Sequence, residues 1–345
     1  MRSFNGMNRF EILRELLAQS RFFKLVCGAG NEDENEVRRL ALIYTLAGAS
    51  GLDVSATPKV VKACVAGIDL AYRHAGKLGI DIPVRPFITV SVGMPGDHHV
   101  RKAFITADCI KCGKCVHVCP TEAISEDNRI AREKCIGCGN CEAICPPKVD
   151  AVRYEHNEKA LDKILPQCLA AGAENIELHA AVPGDARILE EWRAVSDAQP
   201  DNFISMCLDR YHLSNMHLIE RIRAAREIAG DRTMIQADGV PMSGGADDFN
   251  TTLQAVAIAD VIQKDLKSKN KAFNNMPILL SGGTNGKTAE MAKMCNVPFQ
   301  GVSIGTHARK IVKKWIGAAD FEHNLHEIRE ALVPATDLVT RSIIK

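Results

Sequence analysis

Eight cysteines of the chain fall into two copies of one spacing. Cys109, Cys112, Cys115 and Cys119 are closed by Pro120; Cys135, Cys138, Cys141 and Cys145 are closed by Pro146. This is C-x2-C-x2-C-x3-C-P written twice, with fifteen residues between the runs. Three thiolates two residues apart can curl around one set of irons, and in this spacing the fourth crosses to the other set. The pattern predicts two [4Fe–4S] clusters, one on Cys109, Cys112, Cys115 and Cys145, the other on Cys135, Cys138, Cys141 and Cys119. Two structural zinc ions are the weaker alternative, because zinc sites usually separate their ligand pairs by longer loops. A disulfide framework is disfavoured, since no secretory signal is evident at the N-terminus.

Gly113, Gly137 and Gly139 lie inside the ligand loops, where backbone must come close to sulfur. Lys111, Lys114 and Lys134 would favour the more negative, reduced state of the clusters. The other five cysteines, Cys27, Cys64, Cys168, Cys207 and Cys295, are dispersed and read as small buried hydrophobes.

Other polar residues sit where strand ends would place them. His98 and His99 follow Met94-Pro95-Gly96-Asp97 and read as a polar linker, with proton carriage or ligation as the alternative. His179, Asp209 and Asp238 close or follow apolar runs and are pocket candidates without assigned roles. Ser281-Gly282-Gly283-Thr284-Asn285 and Gly305-Thr306-His307-Ala308-Arg309 form a matched pair of loops able to hold phosphate at a helix N-terminus. Gly282, Gly283, Thr284, Gly305 and Thr306 are therefore the expected contacts to FMN or another phosphate-bearing ligand. Gly283-Thr284-Asn285-Gly286-Lys287-Thr288 competes for the same residues as a nucleotide loop, but the first glycine of the usual pattern is Ser281.

The elements that must position these groups alternate regularly. Apolar runs near 22–28, 51–55, 87–92, 175–179, 203–208, 233–239, 277–283 and 301–305 read as strands. Helical patterns follow, among them 37–47, 158–171, 216–228 and 248–266. Eight such units favour a (β/α)8 barrel over an open doubly wound sheet. The fold class is thus α/β, a barrel-like domain with an inserted bacterial-type two-cluster ferredoxin domain. The expected division is 1–100 for the first part of the barrel, 101–152 for the insertion and 153–345 for the remainder. An insertion after the third strand falls on the face where barrel active sites lie, which puts the clusters at the barrel mouth.

Composition bounds the function. Hydrophobic residues make up 46%, charged residues 25%, and the net charge is +1. That is an ordinary globular composition with no nucleic-acid field and no run long enough for a membrane helix. Cysteine usage fits a cytoplasmic protein.

The double cysteine motif within a barrel-like chain, Val26 to Asn31 (Val-Cys-Gly-Ala-Gly-Asn), Ala237 to Gly245 and the late Ser-Gly-Gly-Thr-Asn together resemble the light-dependent period (LdpA) family. These are cyanobacterial iron–sulfur proteins of the circadian input pathway. The resemblance implies a redox sensor that relays photosynthetic electron flow to the clock, with the input kinase and the Kai proteins as partners. A quinone or another electron-transfer partner would suit the same clusters. The competing reading is an iron–sulfur oxidoreductase with a flavin or phosphorylated ligand in the barrel. A plain electron carrier would need no barrel.

Overall fold

Helix α1 (Arg9–Ala18) stands before the first strand and closes the bottom of a barrel. Its capping box, Asn8 with Glu11, satisfies orphan N–H groups at its start. Leu13, Leu16 and Leu17 then pack on Phe22, Phe87, Phe203, Met234 and Leu279. These five residues lie at or next to the starts of strands, so the plug seals the N-terminal end. The computed structural model describes residues 4, 6–156, 159–240 and 245–343. Part of the quoted Ala237–Gly245 segment lies outside the described residues.

The chain continues through β1 (Phe22–Val26), α2 (Glu34–Leu46), β2 (Gly51–Ser55), α3 (Pro58–Leu78) and β3 (Phe87–Gly93). A hairpin of β4 (Arg101–Ile105) and β5 (Val152–His156) encloses two short helices, α4 (Lys114–Val118) and α5 (Asn140–Ile144). The alternation then resumes with α6 (Leu161–Ala170), β6 (Asn175–His179), α7 (Asp185–Ala198), β7 (Ile204–Leu208), α8 (Asn215–Ala229) and β8 (Thr233–Asp238). It ends with α9 (Leu253–Ile262), β9 (Ile278–Ser281), α10 (Thr288–Met294), β10 (Gly301–Ile304), α11 (Thr306–Ile316) and α12 (Leu325–Ser342).

Eight strands close into a parallel barrel in the order β1-β10-β9-β8-β7-β6-β3-β2. The fold is a (β/α)8 barrel, as expected. The hairpin β4–β5 stands outside the ring and β3 pairs directly with β6, Thr89 opposite Asn175 through Gly93 opposite His179. Ring closure therefore does not pass through the cysteine segment.

Period-two alternation sends Phe23, Leu25, Leu52, Val54, Ile88, Val90, Ile176, Leu178, Met206 and Ile235 into the layer between strands and helices. The intervening residues face the lumen, and here they are polar. Lys24 Nζ donates to Asp53 Oδ2 at 2.9 Å and to Glu177 Oε2 at 2.5 Å. Ser91 donates to Asp53, Ser205 to Glu177, and Ser303 to Gln236. Most barrels fill this space with Val, Ile and Leu. A buried, hydrogen-bonded charge network here costs desolvation that an apolar filling would avoid.

Candidate functional site: two cysteine cavities and the barrel mouth

The two cysteine runs build nearly identical local structures. Gly113 (φ 72°) and Gly139 (φ 89°) stand in the left-handed region before α4 and α5. Each five-residue helix ends at an extended cysteine, Cys119 or Cys145, directly before proline. Proline cannot continue a helix, so the chain turns away there.

The hairpin folds the two runs against each other crosswise. Cys135, Cys138 and Cys141 surround a cavity of about 340 Å³ together with Cys119 of the other run. Cys109, Cys112 and Cys115 surround a second cavity, about 350 Å³, together with Cys145. Cys141 reaches the edge of this second cavity as well. Backbone N–H groups of Ala103, Lys111, Ala123 and Ala151 already point at the sulfurs of Cys135, Cys109, Cys119 and Cys145, at 3.3, 3.4, 3.2 and 3.4 Å. Such donors stabilise thiolate and sulfide charge. Among the described residues, no three of these eight sulfurs lie within 4.8 Å of one another. Tetrahedral zinc at about 2.3 Å from sulfur would draw its ligands to about 3.8 Å apart. The sulfurs are thus spaced too widely for a tetrahedral zinc set.

The insertion is seated firmly on the barrel. Lys102, fully buried on β4, donates to three carbonyl oxygens: Gly30, Arg132 at 2.8 Å and Cys135 at 2.9 Å. Glu32 N donates to Glu133 O at 2.7 Å. Gly137, at φ +69°, lies so close to β4 that a Cβ would sit 2.5 Å from His98 O and 2.6 Å from Arg101 O. Sequence reading missed Lys102, whose only signal is a lysine at an inward position of a short strand.

This seating brings the second cysteine loop over the barrel. A cavity of about 750 Å³ at the C-terminal ends of the strands is lined by Cys138, Ile136 and Pro120 from the insertion. From the barrel come His99, His179, Asp238, Glu177, Gly282, Gly283, Thr284, Gly305, Thr306 and Arg309. All five residues expected to contact a phosphate thus line one cavity. Thr284 has its hydroxyl committed to Ser303 O. Gly282 (φ +63°) turns so tightly onto Asp238 and Gly239 that no Cβ would fit.

In the competing nucleotide loop, Gly283 to Thr288, several side chains have partners within the fold. Asn285 donates to Asp248 O and Thr251 Oγ1, and its own N–H goes to Thr288 Oγ1. Lys287 pairs with Glu290 and lies over Phe249. The Asn285 bonds tie the loop to the segment just before α9.

His98 and His99 are no linker. His99 Nδ1 meets Asp97 Oδ1 at 2.8 Å and its Nε2 faces Asp238 Oδ2 at 3.1 Å. Its ring stacks on His179 at 4.2 Å between centroids. Burial disfavours the imidazolium, but the Asp97 and Asp238 carboxylates outweigh it and raise His99 well above its ordinary value. His179, buried and beside that cation, falls to about 3. His98 falls to about 4 for the same two reasons. An imidazole pulled up by two carboxylates thus stacks on one pushed down by burial. Asp209 stands apart from this cavity; burial pushes it up to about 6. Of the five dispersed cysteines, Cys27, Cys64, Cys168 and Cys207 are buried as expected, whereas Cys295 is exposed at the end of α10.

Residues 101–155 match the LdpA Fe–S cluster-binding domain, and residues 168–343 match the light-dependent period A C-terminal domain. The chain belongs to the light-dependent period A family. It is 32% identical to Light dependent period A of Synechococcus elongatus over 79% of this chain and 74% of that protein. Among solved structures, a tryptophan synthase of M. tuberculosis aligns over 96% of this chain and 98% of its own, at 11% identity and TM-score 0.45. An aldolase of Escherichia coli K12 aligns over 95% and 93%, at 8% identity and TM-score 0.44. Nothing about activity follows at such scores. Among the described residues, no helix is long and apolar enough to cross a membrane.

Proposed function

We propose that this light-dependent period A family member is a redox-sensing iron–sulfur protein of the cytoplasm. In this reading it reports photosynthetic electron-transport state to the circadian clock. Cys109, Cys112, Cys115 and Cys145 hold one [4Fe–4S] cluster; Cys135, Cys138, Cys141 and Cys119 hold the other, within the module 101–152 set between barrel segments 1–100 and 153–345. The observation that carries the reading is the crosswise gathering of the eight cysteines around two cavities. Family membership supports the pathway, with clock and input-pathway proteins as its partners and a quinone or an electron carrier as the source of electrons.

The clusters would supply one-electron redox chemistry; the chain's own residues seat them. Lys102 fixes the carbonyl of Cys135, and the amides of Ala103 and Ala123 orient two sulfurs of that site. Anaerobic iron and sulfide analysis tests the centre of the reading, with about eight of each per chain expected. Redox-dependent co-purification of clock proteins tests the sensor role, and a loss of all redox dependence would sink it.

One observation favours a second reading, an iron–sulfur oxidoreductase with a flavin or phosphorylated ligand against Gly282, Gly283, Thr284, Gly305 and Thr306. Cys138 lines both its own cluster cavity and the barrel mouth, so a ligand there would lie beside that cluster. Turnover of a donor–acceptor pair by the purified protein would favour it over the sensor.

A further inference from the structure

Arg309 is 7% exposed, and its Nε and Nη1 have no hydrogen-bond partner. A buried guanidinium with unused donors is expensive to maintain, because desolvation of the charge is not returned by pairing. It lines the barrel-mouth cavity on the fourth residue of α11, a helix of eleven residues that starts at Gly305 with no side-chain cap. The leading N–H groups of a helix have no partner within it, and its N-terminus carries partial positive charge. Helical side chains lean toward the N-terminus, which brings the guanidinium and the free amides to the same end of the cavity. Gly283, at φ +69°, lets backbone approach from the opposite loop.

The two carboxylates that line the cavity, Glu177 and Asp238, make no hydrogen bond or ion pair with Arg309. Both are engaged at the floor, where Glu177 shares Lys24 with Asp53 and Asp238 shares His99 with Asp97. The unused guanidinium donors belong to α11, on the Gly305 side of the cavity. Cys138 lines the same cavity.

We propose that Arg309 and the N-terminus of α11 bind the phosphate of a phosphomonoester ligand, and that its occupancy lowers the reduction potential of the cluster held by Cys138. This rests on the barrel-ligand reading and adds to it the anchoring residue, the ligand class and a coupling. A bound dianion neutralises the cation beside one cluster of the two. Reduction adds negative charge to that cluster, so it becomes harder once the cation is answered. The cluster of Cys112 lies outside this cavity and keeps its potential.

The test uses the full chain with its clusters intact. Calorimetry reads binding of inorganic phosphate and of FMN, and potentiometric EPR reads both clusters with and without each. FMN binding without phosphate binding identifies an organic body as part of the recognition, whereas equal affinity identifies the oxyanion alone. Either supports the site if Arg309→Gln weakens it at least about tenfold, as loss of a charge-assisted hydrogen bond predicts, and Arg309→Lys recovers part of the loss. One potential should move negative on binding in the wild type and stay still in Arg309→Gln. No binding at millimolar concentration, unchanged affinity in Arg309→Gln, or equal movement of both potentials would overturn the proposal. Should Arg309→Gln fail to fold, the ligand-induced shift of one potential in the wild type decides alone. Iron content is read on the same sample: about eight irons without binding refutes this inference only, and a low count refutes the two-cluster reading.

Discussion

Lys102 Nζ donates to the carbonyl of Cys135 at 2.9 Å from a side chain with no exposed surface. The same ammonium holds Gly30 and Arg132, so one charge joins the barrel, the linker between the cysteine runs and a cluster loop. Burial pulls Lys102 below its ordinary value, with Glu32 the main opposing charge. Lys102→Met would keep the stem and leave three carbonyls without this donor. Stability should fall by about 3 kcal/mol or more. Anaerobic urea denaturation of the two proteins checks it, and an equal midpoint would show that the carbonyls find other donors.

Under the proposed crosswise ligation the effect of losing one cysteine is non-local. Cys119→Ser should remove the cluster whose other ligands are Cys135, Cys138 and Cys141, and spare the one on Cys109. Iron analysis should drop from about eight toward about four per chain. EPR should keep one reducible centre, with Cys145→Ser leaving the other. If Cys119→Ser lost the centre of Cys109 instead, each run would have to ligate its own cluster.

Gly137 offers a steric test of the seating. Gly137→Ala places a methyl against His98 O and Arg101 O at a backbone angle that L side chains avoid. The strain falls on the loop between Cys135 and Cys138. Loss of the cluster at those residues is expected while the barrel stays folded. The check is a far-UV spectrum like the wild type's alongside iron loss; full iron content would show that the loop yields.

The lumen predicts a pH dependence. Burial raises the Glu177 carboxyl from 4.5 to about 7, against the opposing pull of Lys24. Between these values the folded protein holds a proton that the unfolded chain has released, so stability is lost as pH rises through the window. Glu177→Gln cannot ionise and should lack that loss, a difference on the order of 2 to 3 kcal/mol between pH 4 and pH 8. Parallel denaturation curves across the range would refute it.

Much of the fold was legible because its signals are local. Phe22 to Gly28 and Gly301 to Gly305 are apolar runs ending in glycine, and each became a barrel strand followed by a helix. The cysteine spacing carried the module by itself. Helix α1 went unread because its role is a plug, visible only once Phe22, Phe87 and Phe203 share one end of the ring. The lumen network and the His99 clamp were missed for a related reason. Lys24, Asp53 and Glu177 are charged residues in the middle of apolar strands, but their partners are far apart in sequence. His99 lies in a stretch rich in turn residues, and only strand ends at His179 and Asp238 turn it into a wall of the cavity. Arg309 stood next to residues singled out for phosphate, yet its unused donors are a property of burial rather than of spacing.

The hairpin β4–β5 carries both the exit and the return of the cysteine segment, Arg101 opposite His156 and Ile105 opposite Val152. Because β3 pairs with β6 beneath it, the ring is complete without anything the hairpin encloses. A chain stripped of iron is therefore expected to keep its closed barrel, whatever becomes of the module above it.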